Sequence, residues 1–257
     1  MVKKVKKSTQ SPKLADSQIK KAFKAVKDLI ISSRNTKDLL SDEHEFINMQ
    51  VEVNHLPEIA TLRCVPIPLP HAIYDKKFNS QVMLIVKDPQ RAMKEKLDGL
   101  GLKDTPLTKI IGISKLGKNY TQYKDRRELI RQYDLFLADI RVFNMLPDRL
   151  GKYFYEKKKI PCLLNLDDDV EATLRRAMSS TFIIAAKGPI FCIKIARSSM
   201  SEKEVMENVQ AAIEALPNAI PGLERQHIRR IEIKGQTTMA LPVYNFLSEE
   251  EIQAYKN

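Results

Sequence analysis

The stretch QVMLIVKDPQRAMKEKLDGLGLKDTPLTKIIGISKLGKNYTQYKDRRELIRQYDLFLAD, residues 81–139, decides the architecture of this chain. Its runs QVMLIV, KIIGI and DLFLAD are apolar at consecutive positions, as strands covered on both faces are. Between them, PQRAMKEKLDGL and RRELIRQY carry apolar residues at helical spacing among charges. Strands alternating with amphipathic helices are the texture of βαβ units on a parallel sheet. A fourth short strand, PCLLNL at 161–166, follows VFNMLPDRLGKYFYEKKK. Asp167, Asp168 and Asp169 then open the helix DVEATLRRAM, where acids complement the positive end of the helix dipole, so no metal site is read from them.

Within this stretch Gly112 to Lys118 spells G-x-x-x-x-G-K. A phosphate-binding loop continues with Ser or Thr, whose hydroxyl ligates Mg²⁺, and Asn119 stands there instead. The run Lys109–Ile113 is apolar and β-branched, which places Gly112 inside a strand rather than beyond it. The expectation is a buried strand, a basic turn and a charged helix, with no nucleotide or other cofactor. Lys115 and Lys118 would lie with Lys124 on a basic rim. Tyr120, Tyr123, Arg126 and Arg127 would form an exposed patch suited to a protein partner.

On either side of this wound region the pattern is α+β. Asp16 or Ser17 can cap a helix whose Ile19, Ala22, Phe23, Val26 and Ile30 share one face. Its other face carries Lys20, Lys21, Lys24 and Lys27, which either solvate the helix or track phosphates. FINMQVEV (46–53) alternates as a half-buried strand does, and Leu69-Pro70-His71 interrupts the pattern. In the C-terminal third, TFIIAAKGPIFCIKIA reads as two strands broken at Lys187-Gly188-Pro189. Ser201 with Glu204 forms a capping box for a helix that Pro217 is expected to stop. IRRIEIKG and TTMALPVYNF follow as strands, and Ser248 with Glu251 caps a short terminal helix. Neither flank looks sufficient alone, so the two are expected to join. The expected division is a disordered basic arm (1–14), a split α+β domain (15–71 with 167–257) and an inserted α/β domain (72–166).

With 43 Lys and Arg against 32 Asp and Glu, the chain has a formal charge of +11 and a pI near 9.4. That balance favours a polyanionic partner, of which nucleic acid is the commonest. Cys64, Cys162 and Cys192 show neither disulfide nor zinc spacing and are read as small core residues. His44, His55, His71 and His227 have no ligand spacing, and no convergent set of polar groups suggests catalysis. No apolar run is long enough to span a membrane. The lysine-rich opening could serve nuclear import, RNA binding or solvation.

Four stretches, taken in order, resemble the large-subunit ribosomal protein L-one family. They are Phe46 heading QVEV, the Leu69-Pro70-His71 turn, Lys187-Gly188-Pro189-Ile190 with Ile195-Ala196-Arg197-Ser198-Ser199, and Thr237-Thr238-Met239 before Leu241-Pro242. The resemblance covers about Phe46 to Phe246. It implies a two-domain α/β fold, a split α+β domain with an inserted Rossmann-like domain, and RNA binding by the split domain. The RNA-binding residues it implies, together with the lysine face, are Phe46, Lys20, Lys24, Lys187, Arg197, Ser198, Thr237, Thr238 and Met239. Glu45, Ala72 and Ala240 depart from the ribosomal pattern, which has a lysine and two glycines there. Those departures, with DLFLADIRVFNMLPDRLGKYFYEKKKIP, resemble the eukaryotic biogenesis branch, most closely its compact small-subunit-processome member. The implied role is a monomeric, non-catalytic nucleolar factor that binds precursor ribosomal RNA and other assembly factors. The alternatives are an adaptor in large-subunit precursors or the ribosomal stalk protein itself.

Overall fold

The computed structural model describes residues 15–33, 44–56, 63–101, 105–167, 169–185 and 188–246. The expected basic arm, Lys187 and the terminal helix at Ser248 lie outside them. The chain divides into two compact units, residues 1–60 with 187–257 and residues 61–186. In chain order, α1 (Asp16–Ser33) and β1 (Phe46–Val53) open the first unit. The second holds β2 (Arg63–Pro68), β3 (Val82–Val86), α2 (Gln90–Gly99), β4 (Leu107–Gly112), α3 (Ile113–Asn119) and α4 (Tyr123–Gln132). It continues with β5 (Leu135–Asp139), α5 (Leu146–Leu150), α6 (Lys152–Glu156), β6 (Cys162–Leu164), α7 (Val170–Ser179) and β7 (Ser180–Ala185). The first unit is completed by β8 (Ile190–Arg197), α8 (Glu202–Ala219), β9 (Ile228–Lys234) and β10 (Leu241–Asn245).

In the second unit the strand order is β4-β3-β5-β6, and every pair is parallel. β3 and β5 are buried at every position, which is why their sequences are apolar without alternation. Met83, Ile85, Ile111 and Phe136 form a core with Leu116, Leu129, Ile130, Leu146, Leu150 and Phe154 from the helices. Burying one such side chain stabilises the fold by about 1.5–3 kcal/mol, so these strands anchor the unit. Gly112 ends β4 and is at once the N-cap of α3, so the expected basic turn is a helix and Gly117 lies inside it. Glycine is needed at this junction because the Asp88 side chain occupies the place a Cβ at Gly112 would take, and Asp88 Oδ2 accepts from the backbone N and Oγ of Ser114, which starts the helix directly at the strand end.

Elsewhere in this unit, β2 pairs antiparallel with β7, and α7, capped by Asp169 accepting from the Ala172 N–H, packs on both. β2 and α7 also touch β6. The compact units part at 60/61 and 186/187, so β2, α7 and β7, which lie outside the expected inserted domain at 72–166, fall in the second unit. The cysteines also differ from expectation. Cys162 alone is buried, Cys192 is exposed, and a hydrogen bond to Cys64 together with burial pushes the Cys162 thiol far above the ordinary cysteine range.

In the first unit, four strands follow one another in the order β10-β9-β1-β8, paired antiparallel. β1 buries alternate residues, Ile47, Met49, Val51 and Val53, as its sequence predicts, and Phe46 besides. α1 buries Ile19, Ala22, Phe23, Val26 and Ile30, the face expected of it. α8 is held by the Ser201–Glu204 capping box and buries Val205, Val209, Ile213 and Leu216. It does not stop at Pro217 but runs on to Ala219. The proline removes one N–H near the helix end, and the Ile220 N–H still closes the last turn on the Leu216 carbonyl at 3.1 Å.

Candidate nucleic-acid interface

The register of β1 against β8 sets Phe46, the first residue of one strand, opposite Arg197, the last of the other. The Arg197 guanidinium carbon lies 3.4 Å from the Phe46 ring centroid, and Lys194 Nζ lies 4.0 Å from it. Both distances fall well within cation–π range. Arg197 Nη1 also donates to the His44 carbonyl at 2.8 Å, and the Ser198 N–H donates to the Glu45 carbonyl at 2.9 Å. These bonds tie the entry of β1 to the exit of β8.

Glu45 makes the next link. Its Oε1 accepts from the Gln236 N–H at 2.9 Å, which brings the segment between β9 and β10 to the same end of the sheet. Within that segment the Thr238 hydroxyl accepts from the Gly235 N–H at 2.8 Å and closes a tight turn. A Cβ at Gly235 would come within 3.1 Å of both Ile30 Cδ1 and Thr238 Oγ1, so a larger residue there would have to push these side chains aside by a few tenths of an ångström. Met239 is 68% exposed and Thr237 is exposed beside it, so Met239 is not a core residue.

The structure thus brings Phe46, Arg197, Ser198, Thr237, Thr238 and Met239 together from three distant parts of the chain. It does not leave them equally accessible. Phe46, Arg197 and Ser198 are each about 95% buried, and the first two are engaged with each other. Lys20 and Lys24 are exposed on α1. At about 1.5 Å per residue they lie roughly 15 and 9 Å along the helix from Ile30, which touches the turn, and no described contact joins them to the cluster. Lys194 was missed by the reading of the sequence, although a lone lysine on the outer face of the apolar strand IFCIKIAR is a legible signal. The role of Glu45 as tether for Gln236 was missed as well.

In the second unit the expected patch splits. Tyr120 is half-buried and accepts from Lys109 Nζ at 2.7 Å, which holds the Lys109 ammonium above the ordinary lysine value. Arg126 Nε donates to the Tyr120 carbonyl at 2.9 Å. Tyr123 and Arg127 are exposed, with the guanidinium 4.7 Å from the Tyr123 centroid and 5.4 Å from that of Tyr153. Lys115 and Lys118 are exposed on α3, and Lys124 pairs with Glu128 at 3.9 Å on α4. Among the described residues no group of His, Cys, Asp and Glu could hold a metal ion, and no helix is long and apolar enough to cross a membrane.

A wound parallel sheet that interrupts, in sequence, an antiparallel unit with cations packed on an aromatic ring at one end defines a narrow class of two-unit α/β proteins. The chain belongs to the ribosomal protein L1p/L10e family, which it matches over residues 31–239. It is 34% identical over 180 residues to a Schizosaccharomyces pombe protein named for ribosome biogenesis, covering 68% of this chain and 48% of that one. Identity to Ribosomal L1 domain-containing protein 1 of Mus musculus is 27% over 247 residues, covering 92% and 53%. Identity to ribosome biogenesis protein UTP30 of Saccharomyces cerevisiae is 26% over 260 residues, covering 90% and 92%. The chain therefore spans about half the length of the first two relatives and most of the third.

Proposed function

We propose that this chain is a non-catalytic ribosome-assembly factor that binds precursor ribosomal RNA through its first unit. On this reading it acts in early small-subunit precursor particles, in the nucleolus, as a monomer that also contacts other assembly factors. The observation that carries the reading is the convergence of Phe46, Arg197, Ser198 and the Thr237–Met239 turn at one end of the β10-β9-β1-β8 sheet. The relatives named for ribosome biogenesis support the same role.

The geometry divides the work among these residues. Arg197 and Phe46 brace the site, since both are buried and held by protein groups. On this reading Lys194 and the exposed Thr237 and Met239 would meet a folded RNA surface, and Lys20 and Lys24 would add phosphate contacts along α1, away from the cluster. Positive charge then supplies affinity by displacing counterions, and the fixed shape of the sheet end supplies selectivity.

The test is titration of the whole chain with structured fragments of precursor ribosomal RNA at several salt concentrations. Replacing Lys20, Lys24 and Lys194 by Glu should weaken binding and lower the slope of log K against log salt by roughly 0.7–0.9 per lost phosphate contact. An unchanged slope would show that these lysines only solvate the surface.

A further inference from the structure

β4 is the terminal strand of the parallel sheet, so one of its edges has no strand beside it among the described residues. A cavity of about 730 Å³ runs along this strand, lined by its residues 107–111 together with side chains of α2 and α3. A sheet edge presents a row of backbone N–H and C=O groups to any extended chain that reaches it, and proteins commonly blunt such edges with proline, bulges or a covering segment. Among the described residues Gln90 supplies part of that cover. Gln90 Nε2 donates to the Ile110 carbonyl at 2.6 Å, so a docking strand would take this carbonyl by displacing one side chain of α2. A side-chain amide is chemically the same donor that a docking strand would offer.

The lining also selects the occupant. Lys94, Lys109 and Lys115 face it against a single acid, Asp98. Lys94 and Lys115 are exposed on opposite walls, while Lys109 is drawn aside by Tyr120. The described lining has no aromatic ring on which a base could stack, and its floor includes Leu107, Ile110 and Ile111, which suit side chains of an extended peptide better than nucleotides. We propose that an extended acidic segment of a partner protein adds to β4 as a fifth strand, with its backbone on the open edge and its carboxylates meeting Lys94 and Lys115. Strand addition of this kind draws affinity from main-chain hydrogen bonds and specificity from alternate side chains. The proposal is independent of RNA binding by the first unit.

The experiment uses the whole chain and fluorescent peptides of about six residues, the length of an ordinary strand. One peptide alternates Val with Glu, a second alternates Val with Lys, and a third is the Val-Glu peptide N-methylated at alternate amides along its pairing edge. The expected result is saturable binding of the Val-Glu peptide alone, with slowed hydrogen exchange at the amide of Ile110, whose backbone faces away from β3. Lys94→Glu combined with Lys115→Glu should weaken that binding at least about tenfold. Lys20→Glu with Lys24→Glu should leave it unchanged, which separates this proposal from the RNA reading. Equal binding of the Val-Lys or N-methylated peptide overturns the proposal, as does binding by no peptide. It is likewise overturned if oligouridine binds instead and the same double charge reversal at Lys94 and Lys115 abolishes that binding.

Discussion

Arg197 is a basic residue whose surroundings leave little of it for solvent. Its guanidinium lies on the Phe46 ring, one of its nitrogens is bonded to the His44 carbonyl, and the residue is 5% exposed. Removing it would strip a charged donor from a nearly buried site, so Arg197→Ala should destabilise the chain by about 2–4 kcal/mol, from a charge-assisted hydrogen bond and a cation–π contact. Lys194→Ala should cost less, about 0.5–1 kcal/mol from its cation–π contact with Phe46, and should act chiefly on RNA binding. Urea denaturation of the two variants checks this, and equal losses would mean that Lys194 braces the site as Arg197 does. At this scale the sequence was legible for identity but not for exposure. Phe46, Arg197 and Thr238 could be picked out by their place in a family pattern. That the ring would be roofed by two cations depends on a register shift between Ile47 and Asn48 that no local signal announces.

At the scale of elements, most of the fold could be read from periodicity, because buried parallel strands and amphipathic helices leave unlike patterns. α1, β1, β3, β5, β9 and the capping box of α8 lie where those patterns place them. The misses have physical causes. Pro217 does not end α8, since a proline one turn from a helix terminus removes only one hydrogen bond that the closing turn can spare. The turn expected after Gly112 is α3, because the Asp88 carboxylate takes the Ser114 N–H and hydroxyl and fixes the first turn of that helix at the strand end. This bears on the G-x-x-x-x-G-K match. With Gly117 inside α3, the residues between the glycines are helical and cannot form a loop of N–H groups around a phosphate. Calorimetric titration with ATP or GTP in the presence of Mg²⁺ should show no saturable heat. Micromolar ATP binding that Lys118→Ala abolishes and Lys115→Ala does not would make the near-motif a real site.

Over the whole molecule, what the sequence left open is where one unit stops. Texture changes at Gln81 and near Leu166, but β2 and α7 lie beyond those points and still pack with β6, and β7 pairs with β2. Pairing between segments more than a hundred residues apart, such as β2 with β7, leaves no trace in local pattern. Residues 72–166 hold the whole of the core from Met83 to Phe154 and residues 61–186 add β2, α7 and β7, so both fragments should fold when excised and the longer one should melt at the higher temperature. Circular dichroism with thermal melting of the two fragments decides it; a shorter fragment that melts no lower than the longer one would return the boundary to the change in texture.

The interruption of the first unit by the second also orders events on the ribosome that makes this protein. β1 emerges early, yet both strands that flank it, β8 and β9, are encoded after the whole of the second unit. At about 5–20 residues per second, synthesis from Phe46 to Arg197 lasts on the order of ten seconds or more. Through that interval the parallel sheet can close while the strand bearing Phe46 waits without its neighbours. The end of the sheet proposed to meet RNA is therefore assembled last, so a nascent chain has the half proposed to meet a partner protein before it has the half proposed to grip nucleic acid.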